Sequence, residues 1–161
     1  MTRAPLSATL TRRLWLELDL LCRTRVGIAP IAAELATVLR QIVGADAAAL
    51  FWLDEAGLAE GFFHEDSPAA VQDLFLNEFE RLFVGAREIN VLALARKQGA
   101  RGGHLLDPAP DYYRSNTYNL LVRASGHHHT LDLRVDVADR TRVVVLLFRT
   151  QGPAFGECEA R

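Results

Sequence analysis

The chain has 161 residues, half of them apolar and 24% charged, which fits one globular domain and excludes both wholesale disorder and two full domains. Eighteen basic residues against 20 acidic ones leave a net charge of −2 and no basic stripe, so the chain is not expected to hold nucleic acid by itself. Two cysteines, Cys22 and Cys158, stand far apart without a second Cys or His at ligand spacing, which argues against a thiolate metal site.

The first element is the helix of residues 10–24, apolar around much more than one stripe through Leu10, Leu14, Trp15, Leu16, Leu18, Leu20 and Leu21. Such a helix requires burial on two sides, either wholly inside a core or partly against a second subunit. Leu14, Trp15, Leu18 and Leu21 are the candidate dimerisation residues, and Cys22 reads as a buried helix cysteine. A second helix follows Gly27. Pro30 suits its first turn, Gly44 its C-terminal cap, and Ile28, Ile31, Leu35, Val38, Leu39 and Ile42 recur at helical spacing.

Residues 46–53 are apolar on both alternating sets, as in a strand covered on both faces. The turn Asp54–Gly57 leads into residues 58–64, which predicts a β-hairpin. Ser67 as N-cap and Pro68 at the first helical position open a long helix carrying Val71, Leu74, Phe75, Phe79, Leu82 and Phe83. A shorter helix over about 88–98, a glycine-rich loop at 99–103, a short strand at 104–106 and a further helix ending near Gly126 come next. From His127, apolar and polar residues alternate through Val137, which predicts a strand with one buried face. Residues 141–150, apolar on both faces, predict a central one. Hairpins at both ends with helices between them imply an antiparallel sheet rather than repeated βαβ units.

Little of the sequence suggests catalysis. Strand alternation puts His128 on the face opposite His127 and His129, so the three consecutive histidines are not one metal site, and no other ligand is marked unless His104 or Asp132 joins. A nucleophile elbow, a zinc-protease helix and a phosphate-cradling loop are all missing, and Ser125 reads as the end of a helix. Asp132, Arg134 and Asp136 read as a solvated strand face or as ion-pair partners. The aromatic set Phe51, Trp52, Phe62, Phe63, Tyr112, Tyr113 and Tyr118 reads mostly as core, and a small-molecule pocket in such a fold would be lined by residues of this kind. The run 143–148 is far shorter than the ~20 apolar residues of a membrane span. With no secretion signal at the start, this predicts a cytoplasmic protein.

The segment Arg114, Ser115, Tyr118, Asn119, Arg123, Gly126, His128 and Leu131, followed by Leu146–Arg149 and Gly152–Phe155, resembles the GAF-like N-terminal sensory domains of bacterial LuxR-type helix-turn-helix transcriptional regulators. The resemblance spans about residues 25–155, and departs from the family at Leu120, where an acidic residue is usual, and at Ala124, where proline is. It implies an α+β, GAF/PAS-like fold with a central antiparallel sheet of six or so strands, helices packed on it, a cavity on one face for a small effector, and a homodimer. DNA would enter only through a C-terminal domain absent from this chain. On this reading residues 1–24 are the dimerisation helix, 25–155 the sensory domain and 156–161 the start of a C-terminal helix or tail.

The expected function is non-catalytic signal sensing without a cofactor, with Trp52, Phe62, Tyr113, Tyr118, His127 and His129 as candidate pocket residues. A purely structural dimerisation module is the alternative. A GAF-fold methionine sulfoxide reductase would require a cysteine cluster that two scattered cysteines do not supply.

Overall fold

A computed structural model describes residues 6–96, 102–136 and 142–160. It is an α+β domain built on a four-stranded antiparallel sheet. The strands are β1 (Ala47–Leu53), β2 (Ala59–His64), β3 (His129–Asp136) and β4 (Arg142–Arg149), in the spatial order β2-β1-β4-β3. The helices are α1 (Ala8–Arg23), α2 (Ala32–Val43), α3 (Ala69–Asn77), α4 (Phe79–Leu82) and α5 (Val91–Arg96). Four strands stand among the described residues where the family resemblance implied about six. Residues 104–106, expected as a strand, instead form turns. Leu105 N–H donates to the Asp132 side chain there, and Gly103 N–H to the Asp132 carbonyl at the sheet's edge.

β1 and β4 occupy the middle of the sheet, which is why both are apolar on both alternating sets. Ala48, Leu50 and Trp52 of β1, with Val143, Val145 and Leu147 of β4 and Leu131 of β3, pack against Ala32, Leu35 and Ala36 of α2. The opposite face carries Ala47, Ala49, Phe51 and Leu53 with Val144, Leu146 and Phe148, under α3, α5 and residues 110–125. The pairing Leu131↔Leu147 and Leu133↔Val145 shows which face of the last strand joins the leucines of β3. The connection between these strands, residues 137–141, lies outside the described residues, and with it the expected turn at 138–140. α2 ends as its sequence predicts, at Gly44 in the left-handed region with φ of 69°.

Several local expectations shift by a residue or a turn. The long helix expected from Ser67 starts one residue later, with Pro68 at the N-cap, and breaks at Glu78 between α3 and α4. α5 begins after Asn90, whose Oδ1 accepts from the Leu92 and Ala93 N–H groups while its amide donates to the Phe83 carbonyl. Residues 107–116, which read as a loop, contain a 3-10 turn (Pro110–Arg114), and the helix expected after them, ending near Gly126, is a π-helix (Thr117–Val122) followed by another 3-10 turn (Arg123–Ser125). The Glu88 carboxylate accepts from Asn116 N–H, Thr117 N–H and the Thr117 hydroxyl at the start of the π-helix, and a carboxylate is favourable at that positive end.

α1 lies on the outer side of α2. Leu14 is buried and Leu18 packs against the core, so these two of the four candidate dimerisation residues are occupied within the chain. Leu21 is half-buried, whereas Trp15 is 55% exposed beside the exposed Leu16 and Leu20. Cys22, expected to be buried, is exposed on the same helix. Among the described residues no helix is long and apolar enough to cross a membrane.

Candidate ligand-binding site

A cavity of about 70 Å³ lies on the sheet face opposite α2. Its floor is Phe51 of β1, Phe62 and His64 of β2, Thr130 of β3 and Leu146 and Phe148 of β4. Its roof is Val71, Gln72 and Phe75 of α3, Val91 and Leu94 of α5, and Tyr112, Thr117, Leu121, Val122 and Ser125. The floor follows from a two-residue strand period, since Phe62 and His64, or Leu146 and Phe148, share a face. A wider depression of about 890 Å³ runs between the end of α2 and residues 149–154. It is open to solvent and is bordered by the Arg149–Glu159 ion pair.

The cavity wall is almost wholly apolar, yet two of its residues, His64 and Ser125, each bury a polar atom without a hydrogen-bond partner, Nδ1 and Oγ, and the buried Tyr112 hydroxyl has only Thr130 beside it. Native proteins pair nearly all such groups with protein, water or ligand. Asp66 Oδ1 approaches His64 Nδ1 only to 3.5 Å, a charge contact without hydrogen-bond geometry. Thr130 stands beside the Tyr112 hydroxyl and partly offsets the effect of burial, which holds that hydroxyl protonated well above the usual tyrosine range.

His127 completes this wall. Its ring, 2% exposed, stacks on Phe148 with centroids 4.8 Å apart, and His64 stacks on the same phenyl at 5.4 Å. His127 Nε2 lies 3.1 Å from Asp66 Oδ1 and Nδ1 3.3 Å from Thr150 Oγ1. A carboxylate only accepts, so Nε2 carries the proton, and in the neutral ring Nδ1 accepts from the threonine hydroxyl. Among the described residues no group of three or more His, Cys, Asp or Glu side chains is placed to hold a metal.

Burial pulls the His64 imidazole down from 6.5 to about 4, Asp66 opposing the fall and His127 adding to it. The folded state therefore resists a proton that the unfolded chain accepts. The linkage is nil above pH 6.5, where both states are neutral, and becomes a penalty on folding as pH falls toward 4. At pH 5 it amounts to about 2 kcal/mol. Urea midpoints at pH 7.5 and 5 measure it: the His64→Gln variant should lose less stability over that interval than the parent, and equal losses would remove the effect.

The six residues named from sequence separate in the structure. Phe62 and His127 line the cavity. Trp52 lies on the α2 face, its ring so close over Gly61 that a Cβ there would meet it at 2.4 Å. His129 shares the face of Leu131, one residue out of phase with Thr130. Tyr113 is exposed, and Tyr118 packs behind Tyr112 with ring centroids 5.5 Å apart. The alternation that paired His127 with His129 fails because β3 begins only at His129. His127 N–H donates to the Val122 carbonyl at the end of the π-helix rather than to the sheet. Asp132, expected on a solvated face, is 2% exposed and accepts from Leu105 N–H and His104 Nδ1.

No protein-family model matches this sequence, and no curated protein does. Solved structures do match. The fold is similar to that of part of SdiA. A structure of SdiA in complex with octanoyl-rac-glycerol superposes with a TM-score of 0.55 at 12% identity, covering 96% of this chain and 59% of that one. A crystal structure of Escherichia coli SdiA gives a TM-score of 0.59 at 10% identity, covering 94% of this chain and 60% of that one. The chain thus spans about three fifths of the length of these SdiA chains, and the likeness is one of fold.

Proposed function

We propose that this chain is the non-catalytic, GAF-like sensory part of a bacterial LuxR-type transcriptional regulator and that it binds a small effector in the cavity above Phe51, Phe62 and Phe148. One observation carries the reading: an apolar cavity whose lining residues include His64 and Ser125, each with a buried polar atom that has no hydrogen-bond partner. The SdiA fold, with one SdiA structure holding octanoyl-rac-glycerol, supports it. Residues 25–155 are the sensor, 156–161 lead toward an output domain through which DNA is contacted, and residues 1–24 pair two copies in the cytoplasm. The exposed Trp15, Leu16 and Leu20 on α1 support that pairing. Phe62 and His127, which line the cavity, contact the effector on this reading. An effector that binds one arrangement of the roof helices better than another shifts their population, and a connected domain responds to the shift.

Thermal melting against a library of neutral and charged metabolites tests the proposal. A true effector at hundredfold excess over its Kd adds about 2.7 kcal/mol, or roughly 5–10 °C for a chain of this size. The Leu146→Trp variant, which fills the cavity, should lose that response. No responding compound, or a response kept by Leu146→Trp, would leave a packing module instead of a sensor.

A further inference from the structure

We infer that α1 packs against α1 of a second copy in antiparallel sense, with Leu16 meeting its counterpart near a two-fold axis, and that the charges along the helix fix that direction. The inference rests on the reading of residues 1–24 as the pairing segment and supplies its geometry. Successive helical residues lie about 100° apart around the axis, which divides α1 into two faces. Leu14 is buried and Leu18 and Leu21 are half-buried on the side toward the core, whereas Thr9, Arg13, Leu16 and Leu20 fall together on the opposite side. Leu16 is 57% and Leu20 66% exposed there. Trp15 stands beside this strip rather than in it.

Charge complementarity identifies the occupant. The residues flanking the strip run Arg12, Arg13, Glu17 and Asp19, basic toward the N-terminus and acidic toward the C-terminus. Arg12 and Asp19 lie on one flank, Arg13 and Glu17 on the other. A two-fold axis that reverses the helix sets each flank against itself, end for end. Placed between Trp15 and Leu16, it brings Arg12 opposite the partner's Asp19 and Arg13 opposite the partner's Glu17, with Leu16 against its counterpart between them. A parallel pair sets arginine on arginine and acid on acid instead. Flanking charges choose the orientation of paired helices in this way, because like charges brought face to face penalise the alternative. Asp19 already pairs with Arg23 along the same helix, but both side chains are more than half exposed, and such a contact is weak enough to be shared with a second arginine. A contact along one 16-residue helix, about 24 Å long, is small among specific interfaces, so a reversible dimer with a Kd on the order of tens of micromolar is expected.

Sedimentation equilibrium of the whole chain over about 5–500 µM tests the pairing, with circular dichroism to show that each variant stays folded. All the altered side chains face solvent, so the fold should survive each change. Leu16→Glu should raise the dimer Kd at least about tenfold. Arg12→Glu and Asp19→Arg should each raise it about fivefold, and the double variant Arg12→Glu with Asp19→Arg should return to within about twofold of the parent. Positions 12 and 19 stand about 10 Å apart along one helix, so that recovery cannot arise within a single copy. A monomer at the highest concentration, a Kd unmoved by Leu16→Glu, or a double variant no tighter than the single ones would overturn the inference. The sensor reading fails separately. A monomeric chain that still responds to an effector in the melting screen keeps the sensor and removes this pairing, whereas an antiparallel dimer with no responding metabolite does the reverse.

Discussion

Arg149→Ala is expected to lower the free energy of unfolding by about 3–4 kcal/mol, the most damaging single side-chain truncation proposed for this chain. The guanidinium gathers the C-terminal segment onto the end of α2. It donates from Nη2 to the Val43 carbonyl at 3.2 Å, from Nε to Gly44 at 3.4 Å, and from Nη1 to Pro153 and Ala154 at 3.2 and 3.4 Å. It pairs with Glu159 and lies 4.1 Å from the centre of the Phe155 ring, which is itself buried in the α2-side core. A cation at a helix C-terminus is favourable. The side chain is only 13% exposed, so the pair with Glu159 is not discounted as a solvated surface contact would be. Arg149→Lys should recover only part of the loss, because an ammonium cannot reach several diverging carbonyls and lie flat on a ring at once. Urea unfolding of the three proteins decides the matter. A loss below about 1 kcal/mol in the alanine variant would reduce the cluster to an exposed ion pair.

This cluster also explains what part of the sequence was legible. Leu146–Arg149 and Gly152–Phe155 stand out in the sequence as a motif, and the contact of Arg149 with Phe155 connects them physically. Ser115 and Asn119 were legible in the same way. Ser115 Oγ accepts from Tyr118 N–H, and the Asn119 amide donates to the Tyr113 and Ser115 carbonyls, so the motif holds a 3-10 turn against a π-helix. The central strands could be read from composition, since only a strand covered on both faces leaves both of its residue sets apolar. The broken helix at Glu78 and the π-helix could not, because spacings of three, four and five residues blur into one another over six to nine positions.

The site was half legible for a reason of register. Phe62 pairs directly with Phe51, and Trp52 with Gly61, so Phe62 and Trp52 never share a face, and naming both as pocket residues conflicted with the pleat. Once Phe62 is on the cavity side, His64 follows by the two-residue period, a weaker signal than three consecutive histidines. His127 lines the cavity, but not through the alternation that nominated it, since the strand had not yet begun. Ser125 was read as a helix end, and it is one; that it is also a cavity group depends on the 3-10 turn directing it inward, which no spacing encodes. Asp132 looked solvated because its strand alternates well, whereas the partners that bury it come from 28 residues upstream at His104 and from the adjoining Leu105 N–H.

Gly102→Ala is expected to cost about 3 kcal/mol, close to the effect of losing Arg149, although the change is one methyl group in a segment whose glycines read as a loose loop. A Cβ at position 102 would lie 2.3 Å from the Asp132 carbonyl oxygen and 2.8 Å from Leu133 Cα. Both are backbone atoms of β3, which is paired along its length with β4 and cannot retreat without breaking ladder hydrogen bonds. The loop must therefore move, and that movement pulls Leu105 N–H and His104 away from the Asp132 carboxylate, which is buried and has these two donors. A buried carboxylate deprived of donors is the larger part of the expected cost. The double variant Gly102→Ala with Asp132→Asn separates the two effects, since an amide tolerates partial desolvation better than an ion: the second change should cost much less in the alanine background than in the parent. Additive losses in urea unfolding would show that the glycine serves only to avoid a local clash, and that the Asp132 contacts survive when the loop is displaced.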